Sequence, residues 1–148
     1  MKTAREYKDS LRDRNIKVYL KGELLDPKTL IDHPFVRGHV NSAAMTYALA
    51  STKEYEDLMT ATSHLTGRKI NRFTHIHQST DDLVKKVKML RMISQKTGTC
   101  YQRCVGFDAM NATYSVTYEC DQAMGTNYHE RFKKFLTYVQ DNDLMIAG

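Results

Sequence analysis

The chain has 148 residues, enough for one domain with a real core, and its 41% hydrophobic and 26% charged residues are ordinary globular composition. No run of about 18 apolar residues occurs, which argues against a transmembrane helix, and the opening Met1-Lys-Thr-Ala-Arg-Glu-Tyr-Lys lacks the apolar core of a secretory signal. A formal charge of +5 suits phosphate-bearing partners such as coenzyme A, a nucleotide or nucleic acid, and three cysteines without an export signal point to a reducing cytoplasm with no structural disulfides.

Read in order, the chain is mostly helical. Thr3-Ala-Arg-Glu6 is a capping box and starts a helix over about Ala4 to Arg14. Ile16 to Leu20 and Glu23 to Leu25 flank Lys21-Gly22 and predict a small hairpin or an extended arm. Asp26-Pro27 and His33-Pro34 bracket a loop, because the residue before proline avoids the helical region. Asn41 to Ala50 is small and apolar almost all round, as in a helix buried among others, and Glu54 to Leu58 adds a helical turn or two. Met59 to Gln78 has no clean period and is predicted as a loop of functional length.

Ser79 caps a long helix with Asp81 and Asp82 in its first turn, where the helix dipole favours acids. Its predicted apolar stripe is Leu83, Val87, Leu90 and Ser94, widened by Val84 and Met92. Lys85, Lys86, Lys88 and Arg91 have no interleaved aromatics and read as a solvated face, so neither a nucleic-acid nor a membrane partner is expected. Gly98 separates this helix from the next, which is predicted over 99–124, carries Phe107, Met110, Tyr114 and Tyr118, and stops at Gly125. Asn127-Tyr-His-Glu130 reads as a second capping box, before a last helix with Phe132, Phe135, Leu136 and Val139 on its apolar face. The predicted fold class is all-α, a mainly helical bundle with a small N-terminal hairpin, whose packed centre is 80–97, 99–124 and 128–141. The apolar end Leu144 to Gly148 suggests that the natural chain continues.

Cys100 and Cys104 stand four residues apart. On a predicted helix they would share one face, about 6 Å apart, and could aim both sulfurs at one point, half of a four-coordinate metal or iron–sulfur site. The same spacing also fits two small residues packed in a helix core, and spacing alone leaves both readings open. Cys120 lies sixteen residues beyond Cys104, about 24 Å along the predicted helix and on another face, so it reads as a packed thiol. His75 and His77 share a face of an extended segment and could be ligands, or pocket or capping residues. His129 reads as a surface residue. No glycine-rich phosphate loop, H-E-x-x-H or G-x-S-x-G is present.

Several longer stretches carry more. Asn41-Ser-Ala-Ala-Met-Thr-Tyr, Tyr55-Glu-Asp-Leu-Met-Thr-Ala, Ile70-Asn-Arg-Phe-Thr-His-Ile-His-Gln-Ser-Thr-Asp-Asp-Leu, Cys100-Tyr-Gln-Arg-Cys-Val-Gly-Phe-Asp-Ala-Met-Asn-Ala and Gly125-Thr-Asn-Tyr-His-Glu-Arg-Phe resemble the N-terminal part of the 4-hydroxybutyryl-CoA dehydratase family. The resemblance covers nearly the whole chain and is dense after Asn41. That family belongs to the wider 4-hydroxyphenylacetate 3-hydroxylase group of flavoproteins, with an acyl-CoA dehydrogenase-like arrangement of an N-terminal helical, a middle β and a C-terminal helical domain. The resemblance therefore implies that residues 1–148 are the first of these domains and that the other two lie outside the chain.

It further implies dehydration of 4-hydroxybutyryl-CoA to crotonyl-CoA with isomerisation of vinylacetyl-CoA, by a radical route that uses FAD and a [4Fe–4S] cluster held by three cysteines and one histidine. Cys100 and Cys104 match two of those ligands, and Gln102 between them is the candidate for a substrate contact. His75, His77 and Gln78 match a family stretch and are weaker candidates for cofactor binding. An acyl-CoA substrate, a homo-oligomer for the longer protein and a cytoplasmic location follow from the same resemblance. The chain by itself is expected to hold neither cofactor stably and to be inactive. Two alternatives stand beside this: a flavin-dependent hydroxylase domain of the 4-hydroxyphenylacetate type, against which the cysteine pair argues, and an inactive helical interaction module.

Overall fold

The computed structural model describes residues 1–14 and 16–147. Gly148, the expected end of the domain, lies outside them. Among the described residues six α-helices carry the fold: α1 (Ala4–Arg12), α2 (Arg37–Ala50), the single turn α3 (Glu56–Met59), α4 (Thr80–Thr97), α5 (Cys104–Met124) and α6 (Tyr128–Asp141). Two antiparallel hairpins are the only sheets among these residues: β1 (Tyr19–Leu20) with β2 (Glu23–Leu24), and β3 (Thr60–Thr62) with β4 (Lys69–Asn71). The mainly helical class and the N-terminal hairpin agree with the reading of the sequence. No described helix is long and apolar enough to cross a membrane.

Local chemistry sets the helix ends. Thr3 Oγ1 accepts from the Glu6 N–H at 3.2 Å while Glu6 Oε2 accepts from the Thr3 N–H at 2.7 Å, closing the capping box of α1. Ser79 Oγ accepts from the Asp82 N–H at 3.2 Å to start α4. Gly98 ends α4 at φ +61°, a left-handed conformation that costs glycine least, and Gly125 ends α5 in the same way.

Three apolar clusters make the core. Leu49, Met59, Phe73, Met89, Ile93, Tyr101 and Phe107 join α2, α3, α4 and the start of α5. Tyr7 stacks on Tyr47 at 4.7 Å and, with Ala43 and Ala44, fixes α1 to α2. Ile76, Met110, Leu136 and Val139 seal α5 against α6. The segment after α6 runs back over the first turn of α5 and comes so close that a Cβ on Gly106 would overlap the Ile146 carbonyl. Glycine is required there for space rather than for its torsion freedom.

Four expectations are corrected. Residues 59–78 are not a loop: they hold the β3–β4 hairpin, paired Thr60↔Asn71, Ala61↔Ile70 and Thr62↔Lys69, and a 3-10 turn at Arg72–Thr74. Their outward-inward pattern was hidden because buried polar residues, among them Ser63, Asn71 and Arg72, fill core positions. Helix α4 buries Met89 and Ile93, not the Leu83/Val87 stripe; Leu83, Val84 and Val87 are exposed. Helix α6 is not started by an Asn127–Glu130 box. Instead the Asp121 carboxylate, reaching over from α5, accepts from the N–H groups of Tyr128 at 2.8 Å and His129 at 2.9 Å and from Thr126 Oγ1 at 2.7 Å. The basic run is only partly solvated: Lys85 pairs with Asp57 at 2.7 Å, and Lys86 pairs with Asp108 and lies over the Phe107 ring.

Candidate functional site

The cysteines meet by a different route from the one their spacing suggests. Helix α5 begins at Cys104, so Cys100 lies before it and the pair does not share a helical face. Gly98 turns the chain out of α4, and Gln102, at φ +66°, turns it again into α5. Around these turns Tyr101 and Arg103 are buried, whereas Cys100 is exposed and Gln102 and Cys104 are half-buried. Both cysteines therefore reach one open cleft of about 450 Å³, lined also by Ser94, Gly98, Thr99 and Tyr101. The Gln102 N–H donates to Cys100 Sγ at 3.4 Å, which holds the loop closed on its own sulfur. Cys120 sits half-buried far along α5 and does not line the cleft.

Two anchors hold this loop. Tyr101 packs against Phe73 at 5.8 Å, and burial pushes its phenol up, with the Ser94 hydroxyl opposing. The Arg103 side chain is 1% exposed. Its Nη1 donates to Thr46 Oγ1 at 3.1 Å, and its Nη2 to Asp143 Oδ1 and the Leu144 carbonyl, each at 3.5 Å. The guanidinium also lies 4.5 Å from the Tyr47 ring centroid and 4.9 Å from that of Phe73. Nothing in the sequence marked Arg103, because a lone arginine before an apolar run gives no sign of a partner forty residues on.

The histidine stretch forms a separate cluster. Arg72, 3% exposed, donates to the carbonyls of Leu58, Asp57 and Thr60 and pairs with Asp82 at 3.1 Å. His75 Nε2 lies 3.3 Å from the same carboxylate, and the Gln78 N–H donates to it at 3.0 Å. Burial pushes the Asp82 carboxyl up, but the Gln78 N–H, the His75 ring and the Ser79 hydroxyl outweigh it and hold the group well below the usual carboxylate range. Burial holds the His75 ring below its ordinary value despite Asp82, and His77 shifts the same way through burial and the nearby Lys86. The His77 ring packs on Phe107 at 5.0 Å, and the His77 backbone N–H donates to Asn111 Oδ1 at 2.9 Å.

His75, Gln78, Arg72 and Asp82 line a larger open cleft of about 800 Å³. Its charges mostly close on one another, as in Lys69–Glu56 and Lys85–Asp57, so it offers less to a ligand than the two sulfurs do. His129 is not a free surface residue either. It is half-buried, its ring 4.6 Å from Tyr114 and its Nδ1 3.1 Å from Thr117 Oγ1. No three His, Cys, Asp or Glu side chains converge as a metal site among the described residues.

Residues 3–148 match the family described as 4-hydroxyphenylacetate 3-hydroxylase N terminal. The chain belongs to this family. Within the 4-hydroxyphenylacetate 3-hydroxylase N-terminal family, it is 54% identical over 146 residues to the 4-hydroxybutyryl-CoA dehydratase/vinylacetyl-CoA-Δ-isomerase of Clostridium aminobutyricum. That alignment covers 99% of this chain and 29% of the relative. Among solved structures, an oxygen-tolerant archaeal 4-hydroxybutyryl-CoA dehydratase from N. maritimus superposes with a TM-score of 0.91 at 49% identity, over 97% of this chain and 28% of that one. The oxygenase component of 4-hydroxyphenylacetate 3-monooxygenase superposes with a TM-score of 0.73 at 20% identity, over 98% of this chain and 29% of that one, which is a likeness of fold. The chain thus spans under a third of the length of the relatives it matches.

Proposed function

We propose that residues 1–148 are the N-terminal helical domain of a cytoplasmic, homo-oligomeric lyase/isomerase that dehydrates 4-hydroxybutyryl-CoA to crotonyl-CoA and isomerises vinylacetyl-CoA. The middle β and C-terminal helical domains of that protein lie outside this chain. The observation that carries the reading is the presentation of Cys100 and Cys104 on one open cleft in a chain 54% identical to a dehydratase/isomerase of that name. The likeness to the oxygenase, at 20% identity, extends to fold and lends the hydroxylase alternative no comparable support.

The residues fit half of a [4Fe–4S] ligand set. Two thiol sulfurs on one cleft suit soft iron–sulfur coordination, and the missing histidine and third cysteine would come from the rest of the protein. When bound, the cluster supplies Lewis acidity toward a leaving hydroxyl and FAD accepts and returns an electron. This chain's own part is to present the two sulfurs and to back them with Tyr101 and Phe73, while Gln102, between them in the sequence but outside the cleft lining, is the proposed polar contact for the acyl-CoA. His75, His77 and Gln78 belong to the neighbouring cluster and support the fold of that region.

The test is a chimera in which this chain replaces the matching segment of the Clostridium aminobutyricum protein. The chimera is expected to hold iron and sulfide and to dehydrate 4-hydroxybutyryl-CoA. Cys100→Ala or Cys104→Ala should lose both together, while Cys120→Ala should keep iron content nearly unchanged. A folded chimera without iron, or one that loses it only with Cys120, would overturn the reading.

A further inference from the structure

We propose that Arg103 is the positioning residue of the cysteine pair: drawn inward between two aromatic rings and onto Asp143, it forces Cys100 and Cys104 outward onto the same cleft. The inference rests on reading these cysteines as paired ligands and adds what holds them paired. A regular helix would set i and i+4 side chains together through its own hydrogen bonds. Here Cys100 lies outside α5, so that support is lacking, and Gln102 stands in a left-handed conformation that non-glycine residues adopt only where surrounding structure enforces it.

The enforcement is visible on the inner side of the loop. A buried guanidinium without partners is costly, and every partner Arg103 has fixes its direction: Thr46 on α2, Asp143 and Leu144 after α6, and the faces of Tyr47 and Phe73. Asp143 is itself held, its Oδ2 accepting from the Lys2 N–H at 3.0 Å and its carbonyl from Tyr47 Oη at 3.2 Å. Three residues on, Ile146 presses into the gap left by Gly106, so the same segment braces the first turn of α5 from below. Arg103 precedes Cys104 directly and is three residues from Cys100.

The experiment reads the pairing directly, in this chain, in a Cys120→Ser background that leaves only the two thiols. The probe is phenylarsine oxide, whose arsenic forms two As–S bonds and releases its oxygen as one water, taking a proton from each thiol, with no change in oxidation state. The parent is expected to bind it as a two-thiol chelate, read by intact mass and by protection from iodoacetamide. Arg103→Met should weaken that binding by about tenfold or more, because losing simultaneous engagement removes the chelate advantage. Each thiol should still react singly, and Arg103→Lys should recover part of the loss. Asp121→Ala, at the far end of α5 where its carboxylate caps α6, should lower Tm without weakening capture.

If Arg103→Met does not fold, Asp143→Asn takes its place and should weaken capture in the same sense. Capture unchanged in the folded variant, or falling in step with Tm in Asp121→Ala as well, would overturn the role of Arg103 and leave the cysteine assignment standing. A parent that fails to form the chelate would remove the pair, and both readings with it.

Discussion

His75 and Asp82, 3.3 Å apart, tie part of the acid stability of this chain to two neighbouring side chains. Burial lowers the folded His75 ring below its ordinary value, whereas in the unfolded chain it takes up a proton below about pH 6.5. The unfolded state then binds more protons, so stability falls as pH drops below that point. Asp82 acts in the same sense at lower pH. Its folded carboxyl is held well below the usual range, so its contribution is full above about pH 4 and is lost as pH falls further. His64 and His77, both lowered chiefly by burial, add to the upper step. Thermal denaturation between pH 7.5 and 3 should show two descending limbs, and His75→Gln should flatten the upper one. A profile level down to pH 4.5 would contradict this.

At the scale of the elements, what was legible in the sequence was what local rules govern. Thr3–Glu6, Ser79, Gly98 and Gly125 act within one turn of the residue they cap, so their type and spacing were enough to find them. The start of α6 was misread because its cap comes from Asp121 on the preceding helix, and a carboxylate seven residues upstream leaves no capping signature. The same distinction gives a measurable difference. Asp121→Ala should lower Tm by several degrees, since three donors lose their acceptor together, while Asn127→Ala, whose side chain caps nothing, should leave Tm nearly unchanged. The cysteine loop shows the limit from the other side: the spacing pointed to two residues that do line one cleft, but through the wrong geometry. Cys100 and Cys104 share a cleft because Gly98 and Gln102 bend the chain and because Tyr101 and Arg103 are drawn inward. Those burials depend on Phe73, Thr46 and Asp143, which are remote in the sequence.

In the whole molecule, residues 143–147 tie the parts together. They touch the beginning of the chain at Lys2 and, through Met145 Sδ, at Tyr7; they cross the first turn of α5; and they receive Arg103 from the cysteine loop. The stacked pair Tyr7–Tyr47 lies at the centre of this junction, and the chain has no tryptophan. The junction is therefore visible to ultraviolet light. Burial pushes the Tyr47 phenol up to about 12, with Arg103 opposing, and raises Tyr7 and Tyr101 by the same cause. In an alkaline titration followed at the tyrosinate band, the absorbance of these three of the nine tyrosines should be withheld until strongly basic pH and released at once by denaturant. Tyrosinate colour thus reports, without any label, whether the segment beneath the cysteine turn is seated.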